Sequence, residues 1–318
     1  MIALGNSKPL FVLGCPRSGT TLLGGLLNRF EGVHITQETG FIADLYRPEM
    51  NQLTDWPGER LDQLLDQVWS YLSRQGWKNR PTADDFIAFS YRNSCPGYDG
   101  LVRYCWQLDV DRNEAARFNY LGDNTPRYTL AIPLLQGLFP NARYIHLVRD
   151  GRDVVCSLIN RNFGANSLLC AARSWMAHVG CWQMAERTIP AGSRFELRYE
   201  DLIHDTPATC RKLGDFLGTE INQHLASLDV HGLASRLPHH RRLDSPIDSA
   251  SVGRFYTELN DKQRSDVEAV MYSGLVAYDY EVGPFKPSAV MLDRSVLLTG
   301  SHVLDLMRRA VRKVQPCP

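Results

Sequence analysis

The sequence predicts an α/β protein, a parallel sheet flanked by helices, with its ligand site at the carboxyl ends of the strands. Three observations predict it. Short apolar runs, Leu10-Phe11-Val12-Leu13 and Arg143–Val148 (RYIHLV), read as strands buried on both faces. Segments of helical spacing alternate with them, as in a sheet wound with helices on both sides. A glycine-bearing turn joins the first strand to the first helix, and open α/β sheets bind ligands at such turns.

Taken in order, Leu10–Leu13 stops at Gly14, a turn follows, and Leu22, Leu23, Leu26 and Leu27 have helical spacing. Val33–Gln37 reads as a second strand ending at Glu38. Residues 40–120 differ: Leu61, Leu64, Leu65, Val68, Trp69 and Leu72 mark an amphipathic helix among many aromatic residues. This stretch is expected to be a mainly helical insertion capping the sheet, although packed core is an equal reading for any one aromatic. The alternation resumes with a helix ending near Leu134–Phe139 and the strand Arg143–Val148. Helices over 153–160 and 168–187 and a strand over Arg194–Tyr199 follow. Thr206-Pro207 carries helix N-cap and N1 signals, and Gly218 a stop. The whole chain, 1–318, is expected to form one domain.

Composition narrows the functional classes. The chain has 318 residues, 44% hydrophobic and 22% charged, which excludes wholesale disorder. Lys+Arg and Asp+Glu are both 35, so no electrostatic coating of nucleic acid is expected. No apolar run approaches the roughly 18 residues of a membrane helix, and MIALGNSKPLFVLGC does not read as a signal peptide. The eight cysteines form no CxxC pair. Scattered thiols of this kind point to a reducing compartment, so a cytoplasmic location is expected.

The turn Gly14-Cys15-Pro16-Arg17-Ser18-Gly19-Thr20-Thr21 has P-loop spacing, with Thr20 where the lysine would stand. Its glycines let backbone N–H groups converge on an anion at a helix N-terminus. Without that lysine, the grip on a nucleoside triphosphate is missing, and Arg17 offers the cation instead. No Mg²⁺-binding carboxylate is expected at a strand end, since RYIHLV runs into Arg149. Packing explains Arg149 poorly. It suits a second phosphate, with Ser157 in the next helix as a hydroxyl donor; an ion pair with Asp150 or Asp153 is the open alternative.

CPRSGTTLL, QETGF, RYIHLVRDGRDVVCSLI, LRYEDLI and SVGRF, in this order over most of 10–285, resemble the sulfotransferases that use 3′-phosphoadenosine 5′-phosphosulfate (PAPS). The likeness is to the branch with tyrosylprotein and many bacterial members, whose loop reads PRSGTTLL. The cytosolic steroid and phenol branch has lysine in place of Arg17.

The resemblance implies a P-loop-like fold and sulfuryl transfer from PAPS to an acceptor hydroxyl on a small molecule, glycan, lipid or tyrosine. Adenosine 3′,5′-bisphosphate (PAP) leaves, and no metal is required. Arg17, Ser18, Gly19, Thr20 and Thr21 would hold the 5′-phosphosulfate, and Arg149 and Ser157 the 3′-phosphate. Ser251, Gly253 and Arg254 resemble a late segment that closes over the nucleotide, and Tyr199 a tyrosine near it. Arg17 would meet the charge on the leaving phosphate oxygen.

Glu38 is the expected base. It follows the second strand at the face of the phosphate loop, and related enzymes carry a glutamate at the matching place. His34 is a lesser rival inside the strand, and His146 reads as core. In Gly122-Asp123-Asn124-Thr125-Pro126, Asn124 stands where the family has a lysine. Arg17 alone, or Arg127, would then supply the charge.

Two other readings stay open: a small-molecule kinase using ATP and Mg²⁺, and a catalytically inactive nucleotide-binding protein. Over 286–318 the chain is basic and amphipathic, a pattern that suits either peripheral membrane contact or a solvated helix packed on its own domain. The aromatic insertion suggests an acceptor with a ring or an apolar part.

Overall fold

The structure is a computed structural model, and it describes residues 7–110, 118–159, 167–220 and 251–283. The basic tail over 286–318 lies outside the described residues.

The elements run β1 (Lys8–Gly14), α1 (Thr20–Leu27), β2 (Val33–Thr36), α2 (Ile42–Leu45), α3 (Gly58–Arg74), α4 (Ala83–Asn93), α5 (Tyr98–Asp109) and β3 (Tyr120–Asp123). Then come α6 (Ile132–Leu138), β4 (Arg143–Val148), α7 (Gly151–Ile159), α8 (Leu168–Ala185), β5 (Arg194–Arg198), α9 (Tyr199–His204), α10 (Thr206–Leu217), α11 (Phe255–Glu258) and α12 (Asp261–Ala277). The five strands are all parallel in the order β2-β3-β1-β4-β5. The chain winds to one side of β1 first and to the other side from β4 on. The crevice where the winding reverses lies beyond the carboxyl ends of β1 and β4, as expected for this architecture.

Alternation along β1 sorts the core. Leu10 and Val12 face α1, α9 and α10, whereas Phe11 and Leu13 face α3–α6. A third cluster joins α7, α8 and α12 through Val155, Trp175 and Met271.

Residues 40–120 are not only a cap. Trp106 of α5 packs its ring on Phe11 at 5.7 Å, and residues of α3, α4 and α5 share one core cluster with Phe11 and Leu13, so the insertion supplies much of one core layer. Trp77, Phe86, Phe89, Tyr98 and Tyr104 are also buried, while Tyr91 is exposed. Core packing therefore accounts for most of these aromatics, and their number carries little information about an acceptor.

The insertion also ends before 120. Tyr120–Asp123 is the strand β3, which the sequence did not announce, because Gly and Asp are poor strand formers. Gly122 fits because a Cβ there would lie 1.7 Å from the Leu10 carbonyl oxygen. The α10 start is also shifted by one residue. Asp205, not Thr206, is the N-cap, accepting the Ala208 amide at 2.9 Å.

Candidate active site

The phosphate loop is built by a strand that ends abruptly. Gly14 has no room for a side chain, since a Cβ would meet the Leu147 carbonyl oxygen at 2.5 Å. Its own amide and carbonyl are both bonded to the buried Thr129 hydroxyl. The loop then turns tightly, with the Ser18 amide donating to the Cys15 carbonyl at 3.0 Å.

Two residues of the loop are left-handed, Gly19 at φ 102° and Arg17 at φ 76°. Arginine pays about 1–2 kcal/mol in that region, and such outliers concentrate at functional sites. No side chain caps α1, so its first-turn amides have no intrahelical acceptor. Thr20 is buried with its methyl under Gly14, and Thr21 is half-buried. The Ser18 hydroxyl is buried with no hydrogen-bond partner.

The second loop closes on the first. Arg17 Nε donates to Ser157 Oγ at 3.1 Å, and Arg149 Nη1 donates to the Arg17 carbonyl at 3.0 Å. Arg149 Nη2 donates to the Ser251 carbonyl, and its guanidinium lies 4.6 Å over the Tyr199 ring. The Tyr199 hydroxyl meets Ser251 Oγ at 2.8 Å. Tyr199 also presses on the phosphate loop, because a Cβ on Gly19 would stand 2.7 Å from its ring. Asp153 fixes the late segment by accepting the Gly253 and Phe255 amides at 2.8 and 3.1 Å.

Six expected residues from four distant segments are thus in one cluster: Arg17, Ser157, Arg149, Tyr199, Ser251 and Gly253. Arg254 pairs its guanidinium with Glu258 at 2.7 Å, at the start of α11. The ion-pair alternative for Arg149 is realised only loosely, at 3.9 Å from Asp153; Asp150 is taken by Arg152 at 2.7 Å. Arg149 Nε is buried and unpartnered, like Ser18 Oγ. Two orphaned donors beside an uncapped helix start suit a phosphorylated ligand, because buried polar groups otherwise find partners.

On the other side of the crevice, β2 stops at Thr36, so Glu38 stands two residues past the strand and is half-buried. Trp77 of the loop after α3 donates its indole N–H to the Glu38 carbonyl at 3.4 Å. Burial pushes the Glu38 carboxyl up to about 7, and Asp123 adds to the rise while Arg127 and Arg17 oppose it. Arg17 of the phosphate loop and Arg127 of the Pro126–Ala131 turn thus act on the same carboxyl.

Arg127 is paired with Asp44 at 2.8 Å, and the Tyr71 hydroxyl donates to the same carboxylate at 2.9 Å. Asn124 is buried and backs onto α1, where a Cβ on Gly24 would meet its amide nitrogen at 2.8 Å. His34 is near the amino end of its strand, bonded to Asp109 at 3.2 Å. His146 is core, stacked on Trp182 at 4.6 Å.

Sequence reasoning missed Asp123. It is the carboxylate at a strand end that was not expected, the last residue of β3 and a neighbour of β1. The missed strand hid it. Both of its oxygens are already occupied, Oδ1 by the Thr125 amide at 2.6 Å and Oδ2 by the Thr39 hydroxyl at 2.5 Å.

The family model described as "Sulfotransferase family" matches residues 9–223. Protein-tyrosine sulfotransferase 1 of Danio rerio is 25% identical over 308 residues, covering 90% of this chain and 77% of that protein. Protein-tyrosine sulfotransferase A of Caenorhabditis elegans is 24% identical over 218 residues, 67% of this chain and half (50%) of its own length. Among solved structures, the sulfotransferase domain of the Synechococcus PCC 7002 olefin synthase shares the fold, with a TM-score of 0.61, 20% identity, and coverage of 87% of this chain and 97% of that one. The family match takes in the phosphate loop, Glu38, Arg149, Ser157 and Tyr199, and on that match the chain belongs to the sulfotransferase family.

Proposed function

We propose that this protein transfers a sulfuryl group from PAPS to an acceptor hydroxyl and releases PAP. The observation that carries the reading is the clustering of Arg17, Arg149 and Ser157 at an uncapped helix start with the orphaned Ser18 hydroxyl and Arg149 Nε, and beside it burial pushes the Glu38 carboxyl up to about 7. A base with that proton affinity is half-deprotonated at neutral pH, where general-base catalysis is most effective.

In the step we infer, the acceptor oxygen attacks sulfur and forms the new S–O bond. The S–O bond to the 5′-phosphate breaks in line, and the acceptor proton passes to Glu38. The charge left on the phosphate oxygen is met by Arg17 and the α1 amides, which act as preorganised donors. Arg149 and Ser157 would hold the 3′-phosphate. For that, Arg149 exchanges a backbone carbonyl for the stronger charge-assisted bond to phosphate. The charge of the missing lysine at 124 falls to Arg17, since Arg127 is engaged by Asp44.

The protein-tyrosine sulfotransferases among its relatives make a phenol the first acceptor class to try. The half-buried Tyr71, which donates to Asp44, offers a ring face for such an acceptor. A reducing compartment is likewise a proposal, supported by the seven described cysteines being free thiols.

Thermal-shift titration with PAP, and separately with ATP plus Mg²⁺, on wild type and Arg149→Ala tests the donor. At about 100 times Kd a folded-state ligand adds roughly 2.7 kcal/mol. We expect PAP to raise Tm, Arg149→Ala to abolish the rise, and ATP with Mg²⁺ to do little. Stabilisation by ATP with Mg²⁺ and not by PAP replaces this reading with the kinase.

A further inference from the structure

Asp123 is fully buried at the end of β3, in register with Phe11 of β1 and Thr36 of β2. It lies between the strand that carries the phosphate loop and the strand that carries Glu38. Around it, the segment after Glu38 is tied down group by group. Thr39 gives its hydroxyl proton to Asp123, and its amide donates to Thr125 Oγ1 at 3.1 Å. The Gly40 amide reaches the same Thr125 hydroxyl at 3.3 Å. The Ile42 amide donates to the Tyr128 hydroxyl at 2.9 Å, and that hydroxyl lies 2.7 Å from Thr39 Oγ1. On the near side, Thr36 donates to the Gly122 carbonyl at 3.0 Å. Glu38 is therefore suspended between two fixed residues, Thr36 and Thr39.

The direction of the protons says what Asp123 is. Tyr128 accepts from Ile42, so its own proton is available to Thr39. Thr39 accepts that proton and gives its own to Asp123 Oδ2, while the Thr125 amide serves Oδ1. Each donor in the run has an acceptor only if the run ends on a carboxylate. Burial raises the Asp123 carboxyl, and the Thr125 and Thr39 donors that converge on it oppose that rise and favour the anion.

We propose that Asp123 is the positioning residue of the base: as an anion it anchors the Thr39–Ile42 bend and sets the charge environment in which Glu38 works. This rests on the reading of Glu38 as the base. Every charged group that faces Glu38 fits it. Asp123 from β3 favours the protonated carboxyl, whereas Arg17 from the phosphate loop and Arg127 from the turn after β3 favour the ionised one. Arg127 is itself neutralised by Asp44 of α2, and Tyr128 faces Asp123 rather than Glu38. Burial is the larger cause of the raised Glu38 carboxyl, and Asp123 adds to it against the two arginines.

The test reads Glu38 directly and needs no acceptor. The Glu38 carboxyl is followed by ¹³C NMR titration of glutamate-labelled protein, its signal assigned by its loss in Glu38→Gln. Amide hydrogen exchange is measured at Thr39, Gly40 and Ile42. In Asp123→Asn, which keeps the shape, removes the charge and turns one of the two accepting oxygens into a donor, we expect the midpoint to fall by on the order of one pH unit, with faster exchange at those amides. In Thr39→Val, we expect faster exchange at those amides, with PAP-induced stabilisation retained. An unchanged midpoint in Asp123→Asn, or unchanged exchange in Thr39→Val, overturns the proposal. Both variants are near-isosteric, and the wild-type PAP thermal shift reports that each is folded. The base reading fails separately, if Glu38→Gln still releases PAP from PAPS and a phenol panel at the wild-type rate.

Discussion

Glu38 combines burial, a like charge and two opposing cations at a single carboxyl, and its ionisation has consequences for both rate and stability. As a base it works only when deprotonated, so kcat/KM should fall tenfold per pH unit below about 7, the value to which its carboxyl is raised. A pH–rate profile with any acceptor checks this. Glu38→Gln should lower kcat by roughly 10²–10⁴-fold and leave PAP affinity unchanged. The stability effect has the opposite sign. Because the folded-state value lies above the ordinary 4.5, the folded protein binds more protons than the unfolded chain between about 4.5 and 7. Stability is therefore present at low pH and lost as pH rises through that window. The glutamine variant does not ionise, so its Tm should exceed wild type at pH 8 and match it near pH 4. The position of Glu38 was legible in the sequence from the end of β2. Its setting was not, because Asp123 is on a strand with no strand signature, and only pairing with β1 and β2 puts the two carboxyls together.

Elements with a strong local signal were legible, and those formed by tertiary pairing were not. β1, α1 and β4 were visible because apolar runs and leucine spacing fix them locally. The joining of α7 to the late segment was not, since Asp153 reaches the amides of Gly253 and Phe255 across 100 and 102 residues of chain. Asp153→Ala should free that segment: limited proteolysis should cut near 251–255, and PAP affinity should fall about tenfold, for the loss of about 1.4 kcal/mol of docking. Gly19→Ala should be worse, because φ 102° excludes a side chain and the Tyr199 ring stands 2.7 Å from the new methyl. We expect undetectable PAP binding by calorimetry. At α12 the outcome is milder. Asn260 and Gln263 form a capping box, and Asn260→Ala should cost about 1 kcal/mol in chemical denaturation with PAP binding intact.

At the scale of the molecule, the two loops of the site are braced from behind by a buried ion network. Arg152 is 4% exposed and bonds Asp150 at 2.7 Å, Glu268 at 2.6 Å and the Glu281 carbonyl at 2.7 Å. Glu200 accepts the Asp150 amide at 2.9 Å and the Tyr280 hydroxyl at 2.8 Å. Thus α12 and the residues after it hold the loop that carries Arg149. Arg152→Met strands two carboxylates, and breaking such a network costs about 3–5 kcal/mol, a drop of about 10 °C in Tm. Differential scanning calorimetry with and without PAP should show both the drop and a weakened ligand shift. The order of these parts along the chain also sets a timetable. The last strand among the described residues, β5, is complete at Arg198, whereas Ser251–Phe255 and α12 come later in the chain. A ribosome adding roughly 5–20 residues per second finishes the sheet several seconds before it supplies the segment that Arg149 and Asp153 grasp. Until then the residues that Arg149 and Asp153 grasp have not been made, so the donor crevice can close only when the late segment arrives.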